Sequence, residues 1–403
     1  MKKFYDVHMH AFNLSHPNLL AFVARMNIRL LLMTTPLSAP IMKLMGKDKT
    51  IINILTMMEN NVGDYFLILE YYLRRSPYVD GTIVSLGDGR QYQKIVLTPL
   101  IMDFGYKNIM SDSFYQLPAQ KPIVEQVDDL VAGINKYIRN NFNALINPNR
   151  TADCIYTPAT KESKLFEIYP FLGINPANYK MEEIEATLAT YFSDYSVDPT
   201  RLYDNMGTLN CFAGIKLYPP LGFDPWPEDP KEREKVDLLY SFCCKHHIPV
   251  TTHCSDGGFV VTDKAAEFTS PDKWENVLKQ YPSLKLNLAH MGQQSKKTAL
   301  FFSKTEWHEK VLKLINDYEN VYMDFSCTAF KDDFYKELIA EINKQSKPEH
   351  LKERVLFGTD FMVNLLWCDS YNNYLETFWQ TNHLTRAEKD LFCSANPERF
   401  LFE

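Results

Sequence analysis

Short apolar runs, rich in β-branched and aromatic residues, recur along this chain with helical patterns between them, and that alternation constrains its fold more than any other feature. The runs are 2–9 (KKFYDVHM), 94–102 (KIVLTPLIM), 165–175 (LFEIYPFLGIN), 211–218 (CFAGIKLY), 248–253 (IPVTTH), 284–290 (LKLNLAH), 321–326 (VYMDFS) and 355–360 (VLFGTD). Between them, helices are predicted from an apolar stripe at Ile123, Val127, Leu130, Ile134, Tyr137 and Ile138, and near 181–191, 233–246, 272–280, 306–318 and 334–344. Strands alternating with helices predict βαβ units and a parallel sheet. Eight such units predict an α/β chain of the (β/α)8 or TIM-barrel class, read as one domain over 1–403. An open doubly wound sheet is the alternative. No glycine-rich strand-to-helix turn supports it, and Gly257-Gly258 is too little.

One stretch exceeds what a barrel needs. Residues 11–94 carry no strong strand signal but two helical patterns, at 18–32 and 51–74, interrupted by Pro36 and Pro40. They are expected to form a mainly helical insertion after the first strand. Its apolar residues (Leu30, Leu31, Leu32, Met33, Ile41, Met42, Met45) exceed what a solvated loop exposes, so that surface is expected against the barrel, over the site or in a second subunit. A helical cap that narrows the site and selects a partly apolar substrate is the expectation, with a homodimer contact left open. A helix pair thickening the outer ring is the plainer alternative. Pro99 removes a ladder donor, so pairing should weaken there.

Composition excludes several classes. Apolar residues make up 45% and charged residues 23% of the 403, as in globular proteins, and the net charge of −7 argues against nucleic-acid or anionic-membrane partners. Residues 26–45 are rich in Leu and Met, yet Arg29, Pro36, Pro40 and Lys43 rule out a spanning helix. After Met1-Lys2-Lys3 no apolar signal core follows. The eight cysteines show no C-x-x-C spacing and read as reduced thiols, which points to a cytoplasmic protein.

In a parallel barrel the chemistry sits at the strands' carboxyl ends. Those positions hold His8 and His10 on the first strand, Lys216 on the fourth, His253 on the fifth, His290 on the sixth and Asp360 on the eighth. His8 and His10 are two residues apart, so they share a face about 7 Å apart along the strand. Each alone is ordinary: a core histidine, a snorkelling lysine, a capping aspartate. Four histidines with an aspartate are costly to bury unpaired, and neutral imidazoles with a carboxylate suit a divalent metal. Asp324 is expected to partner a ligating histidine from behind, and Asp103 to cap a helix or loop.

The motifs DVHMH (6–10), GIKLYPP (214–220), THCSDGG (252–258), LAHMG (288–292), VYMDFS (321–326), LFGTD (356–360) and NPERF (396–400) resemble, in order and spacing, the amidohydrolase superfamily. The likeness is narrower to its amidohydrolase-related branch, which includes decarboxylases. The resemblance implies His8, His10, His253 and Asp360 as ligands of a catalytic divalent ion, most naturally Zn²⁺. One ion is favoured; two remain open. It implies Asp360 as the group that takes a proton from water and passes it to the leaving group. His290 would bind a second metal or hydrogen-bond the substrate. In binuclear relatives a lysine at the place of Lys216 is carboxylated and bridges the metals; the alternative is a lysine that binds substrate. Tyr218 and Asp256 are expected to touch a small-molecule substrate. Three functions stay in view: hydrolysis of an amide, ester or lactone; decarboxylation or hydration of a small carboxylic acid; and metal binding without catalysis.

Overall fold

The computed structural model describes residues 2–16, 48–104, 123–146, 152–260, 262–294 and 305–403, with the side chains of 48–52, 144–146 and 152–154 excepted. β1 spans Phe4–Met9. Helices α1, Asp48–Glu59, and α2, Val62–Leu73, follow. Next comes a small antiparallel sheet of β2 (Val79–Asp80), β3 (Ile83–Ser85) and β4 (Gln91–Gln93). β5 (Ile95–Pro99) leads through α3 (Ile123–Arg139) to an antiparallel hairpin of β6 (Asn140–Ile146) and β7 (Ala152–Pro158). β8 (Phe166–Ile168) and β9 (Phe171–Gly173) precede β10 (Gly214–Leu217), β11 (Val250–Ser255), β12 (Leu286–Gln293), β13 (Val321–Asp324) and β14 (Val355–Leu356).

The α/β class with parallel sheets is as the alternation predicts. β1, β5 and β8 form one parallel sheet, and β9 through β14 form another in chain order. Pro170, which lacks an N–H, divides 166–173 into two strands. The first half pairs with β5, the second with β10, and a parallel bridge from Leu100 to Phe171 links the sheets. At the other margin Val7 N donates to Phe357 O at 3.1 Å and Thr359 N to His8 O at 3.1 Å, and Met9 bridges Phe361. Single hydrogen bonds thus join the segment after β14 to β1.

Each of the later strands is followed by a helix that packs back on the sheet. Pro230–His246 follows β10, Pro271–Gln280 β11, Glu306–Asp317 β12, Asp333–Ile342 β13 and Tyr371–Gln380 β14. Local chemistry fixes their starts: the Asp229 carboxylate accepts from Lys231 N and Glu232 N, and Thr305 from His308 N, while Pro230 and Pro271 stand where no helical N–H is needed. A second core of Tyr5, Val7, Val96, Phe171, Tyr322 and Leu356 gathers round Phe400 and Phe402 of the C-terminal helix Asn396–Phe402. Phe400 stacks on Phe171 at 6.4 Å and meets Tyr322 at 5.1 Å between ring centroids, so that helix plugs one end of the strands. The functional side chains lie toward the other end.

Three local expectations change. The predicted strand 355–360 pairs regularly only at Val355–Leu356; its remainder is held by single hydrogen bonds to β1. The predicted helix over 51–74 is two helices, broken at Asn60-Asn61. The insertion also contains the antiparallel strands β2–β4, so it is not wholly helical. The helical pattern at 18–32 and the apolar residues from Leu30 to Met45 lie outside the described residues. Among the described residues no helix is long and apolar enough to cross a membrane.

Candidate metal centre

The pairing register of β1 shifts between Asp6 and Met9, the stretch that holds His8, and His10 follows just beyond it. Their rings stand 5.5 Å apart, edge to face. His10 Nε2 lies 3.1 Å and His8 Nε2 3.5 Å from Asp360 Oδ1. All three are buried, and their ligand atoms lie within 4.8 Å of one another. His8, His290 and Asp324 form a second such group. The ring of His290 is 4.9 Å from that of His8 and 4.8 Å from that of His253. Asp360 and His290 both have positive φ, 60° in each case, a conformation a side chain tolerates only when its surroundings impose it.

The protons of these imidazoles are assigned by their partners. A backbone carbonyl only accepts, so a ring nitrogen that bonds to one donates. His10 Nδ1 faces Leu100 O at 3.0 Å, His290 Nδ1 faces Ser326 O at 3.1 Å, and His253 Nε2 faces Gly257 O at 3.2 Å. His8 Nδ1 faces the Asp324 carboxylate at 3.0 Å. The bare lone pairs are then Nε2 of His8, His10 and His290. His253 Nε2 also meets the Ser255 hydroxyl at 3.1 Å, and when it accepts from that hydroxyl Nδ1 carries the proton and donates to His290 Nε2 at 3.2 Å. His8 Nε2 is buried without a hydrogen bond, beside His10 Nε2 and the Asp360 carboxylate, a crowd of lone pairs that suits a cation or a proton among them.

Electrostatics agree. Burial drives His8 down to about 4 and His253 well below the usual histidine value, so both rings are neutral, the form that binds metal. Burial would raise Asp360, but the histidines gathered round it, His10 first, outweigh that and hold the carboxyl below the usual range. Asp324 is held low in the same way, with His8 the chief opponent of its burial. It takes the role expected of it behind His8. Its oxygens also accept from Asn287 Nδ2 at 2.7 Å, His290 N at 3.3 Å, Ser326 N at 3.1 Å and the Ser326 hydroxyl. A carboxylate with so many donors positions ligands and has little left to be one.

A cavity of about 500 Å³ opens beside the cluster. His10, His253, His290 and Asp360 line it, with Tyr218 and Asp256 as expected. Tyr218 Oη accepts from Phe259 N at 3.1 Å, which fixes its ring against His253. Lys216 is not among the lining residues. It is fully buried, its Nζ has no hydrogen-bond partner, and burial pushes it down to about 8 against the pull of Asp324 and Asp360. Asp103 accepts from Asn175 N at 2.9 Å, a loop contact. Sequence reasoning missed Ser326, whose hydroxyl lies 3.0 Å from both His8 Nδ1 and His290 Nδ1. It also missed Asn287, Cys327 and the aromatic lining of Phe259, Phe330 and Trp367. Only two signals could have found Ser326 and Asn287: Ser326 stands two residues beyond Asp324, and Asn287 three before His290.

Residues 207–402 match the family model for amidohydrolases. No curated protein matches the chain. Among solved structures, a probable 2-pyrone-4,6-dicarboxylic acid hydrolase from Acinetobacter baumannii with citric acid bound is 12% identical, with 99% of each chain covered and a TM-score of 0.45. Amidohydrolase 2 from Bifidobacterium longum subsp. infantis is 11% identical, with 100% of each chain covered and a TM-score of 0.42. Likeness of that degree does not bear on the reaction. His8 and His10 lie outside the family match and join the rest of the site through geometry. The family match thus takes in Lys216, His253, His290 and Asp360.

Proposed function

We propose that this protein is a metal-dependent hydrolase of a small-molecule amide, ester or lactone, built on a (β/α)8 barrel. The observation that carries the reading is the buried group of His8, His10 and Asp360, with His290 beside His8 and His253 beside His290, at a cavity of small-molecule size. Donor chemistry of this kind, neutral nitrogens and one ionised oxygen, fits Zn²⁺. His8, His10, His253 and Asp360 would hold it. When bound, such an ion supplies Lewis acidity, polarising an acyl oxygen and acidifying a water molecule.

The chain's own groups account for the proton. Asp360 Oδ1, ionised and close to both first-strand histidines, accepts a proton from water and returns it to the departing nitrogen or oxygen. His290, with Nδ1 committed to Ser326 O, presents Nε2 as an acceptor. It can accept a proton or a metal there, and it donates to an acyl oxygen only after being protonated. Tyr218 and Asp256 line the substrate's side of the cavity. We favour one ion, because the second cluster depends on Asp324, which is already engaged by several donors. Lys216 would join a two-ion site only as its carboxylated form.

Decarboxylation or hydration of a carboxylic acid on the same metal is the competing reading. Among the described residues no lysine or arginine lines the cavity to anchor a carboxylate, which favours an uncharged substrate. The deciding experiment is metal analysis after zinc reconstitution, followed by a panel of amides, esters, lactones and carboxylates with products identified. Zinc-dependent hydrolysis is expected. Carbon dioxide release without hydrolysis moves the protein to the competing reading, and failure to retain metal overturns both.

A further inference from the structure

We propose that the cavity seats a flat, uncharged aromatic ring against Phe330 and Trp367, and that these two residues select aryl over alkyl substrates. Trp367 lines the cavity and is 58% exposed, the most exposed large hydrophobic side chain among the described residues. Its ring is 6.0 Å from that of Phe330, tilted by 34°. Scattered exposed hydrophobics are common and carry no meaning, but a tryptophan more than half open inside a concave site offers a ligand a large π-face.

The pair is held in place from behind. Trp367 ends a turn in which Asn364 N donates to Asp360 O at 3.0 Å and Trp367 N to Asn364 O at 2.9 Å, so the ring is tied to the residue that handles the proton. Phe330 meets Tyr374 edge-on at 5.6 Å. The Tyr374 hydroxyl accepts from Ala329 N at 3.3 Å and donates to Phe325 O at 3.0 Å, pinning the loop that carries Ser326. A second aromatic pair, Tyr218 and Phe259, lines the cavity from the loops after β10 and β11, with centroids 6.0 Å apart and planes 38° apart. Walls of this kind favour a planar group over a puckered one of equal size. Among the described residues no lysine or arginine lines the cavity to pair with an anionic ring substituent.

The inference rests on the hydrolase reading for the bond that is cleaved, not for the ring that is bound, so the test is binding without turnover. Benzamide and cyclohexanecarboxamide share the amide and differ in the flatness of the ring. Their affinities for the zinc-reconstituted full chain can be compared by calorimetry and by quenching of tryptophan fluorescence. Benzamide is expected to bind about fivefold more tightly, the scale of one aromatic contact beyond area burial. Trp367→Ala and Phe330→Ala should each erase most of that ratio, and Trp367→Phe should keep it. Trp367 is largely exposed, so its replacement leaves the fold intact; Phe330→Leu serves as a milder second variant. Equal affinities in the wild type, or a preference that survives Trp367→Ala, would overturn the inference. Ring preference without hydrolysis of any aryl amide or ester would count against the hydrolase reading and leave the ring seat standing.

Discussion

His10 and His290 have their proton position set by a carbonyl and His8 by a carboxylate, while His253 Nε2 lies between Gly257 O and the Ser255 hydroxyl, and these partners let four histidines be buried together here. A histidine without such a partner would switch tautomer or ionise and spoil the lone-pair array. Two substitutions test it. His8→Ala should abolish turnover and lose metal, since it removes a buried Nε2 that lies 3.5 Å from Asp360 Oδ1. Asp360→Asn should abolish turnover, because an amide cannot carry the proton. Zinc content after dialysis and rates on the same samples read both, and full activity in either variant would sink the assignment. Lys216 is the next test: one ion per chain is expected, and because Lys216 is buried and does not line the cavity, Lys216→Ala should leave substrate binding largely unchanged. Two anomalous peaks with added density on Nζ in a crystal would reverse that preference. Far from the site, Lys285 is 7% exposed with no hydrogen bond on Nζ, and burial pushes it down to about 8. Its folded value is depressed, so the penalty is fully present below pH 8 and disappears as pH rises toward the ordinary lysine value of about 10.4. Lys285→Met should therefore stabilise the protein by up to ~3 kcal/mol at pH 7 and by much less at pH 10, as followed by thermal unfolding. The site histidines and Asp360 were legible in the sequence because strand alternation and strand ends fix where they point. Ser326 and Asn287 were not, since a serine or an asparagine in a strand has no spacing that separates a structural from a positioning role.

At the scale of elements, the site is assembled from strand ends that must hold register with one another. Asp6 makes one such connection: its carboxylate accepts from Thr359 N at 2.9 Å, Thr359 Oγ1 at 2.7 Å and Tyr371 Oη at 3.1 Å. It ties β1, which carries two histidines, to the turn that carries Asp360. Asp6→Ala should weaken zinc binding by roughly ten- to a hundredfold while leaving every ligand in place. Competition with a chelator measures this, and unchanged affinity would show that the turn holds itself. The sequence displayed this element poorly. Only Val355 and Leu356 of 355–360 pair regularly; the rest keeps its course through hydrogen bonds to Asp6 and to the backbone of β1. Period and propensity do not report a segment held by partners so remote in sequence. The β6–β7 hairpin escaped for another reason: its strands (NNFNALI and ADCIYTP) mix polar residues without clean alternation.

For the whole molecule, the open question is what the long excursion after β1 does. In its described part, α1 packs against the turn at 363–366 that supports Trp367: Ile54 is buried, and Asn53 Nδ2 donates to Asp369 O at 2.8 Å. The insertion therefore buttresses one wall of the cavity from behind. The α2 helix packs against α3, where Gly63 and Gly133 approach so closely that a Cβ on Gly133 would come within 2.7 Å of Gly63 N. Phe12, just past His10, meets Phe104 and Phe259 through its ring, and its carbonyl accepts from Tyr65 Oη at 2.9 Å. These contacts tie the insertion to the site at its start and in its middle. The cap over a partly apolar substrate that the sequence leads one to expect of Leu30–Leu32, Met33, Ile41, Met42 and Met45 lies outside the described residues. Hydrogen exchange on the intact, zinc-loaded chain tests this without removing anything. Addition of benzamide at saturating concentration should slow exchange in peptides covering 26–45 as well as in 363–367, because ordering a cap over a ligand lowers the population of its open states. Protection confined to 363–367 would reduce the insertion to a buttress. A concentration-dependent protection of 26–45 in the absence of ligand would place that surface between subunits instead.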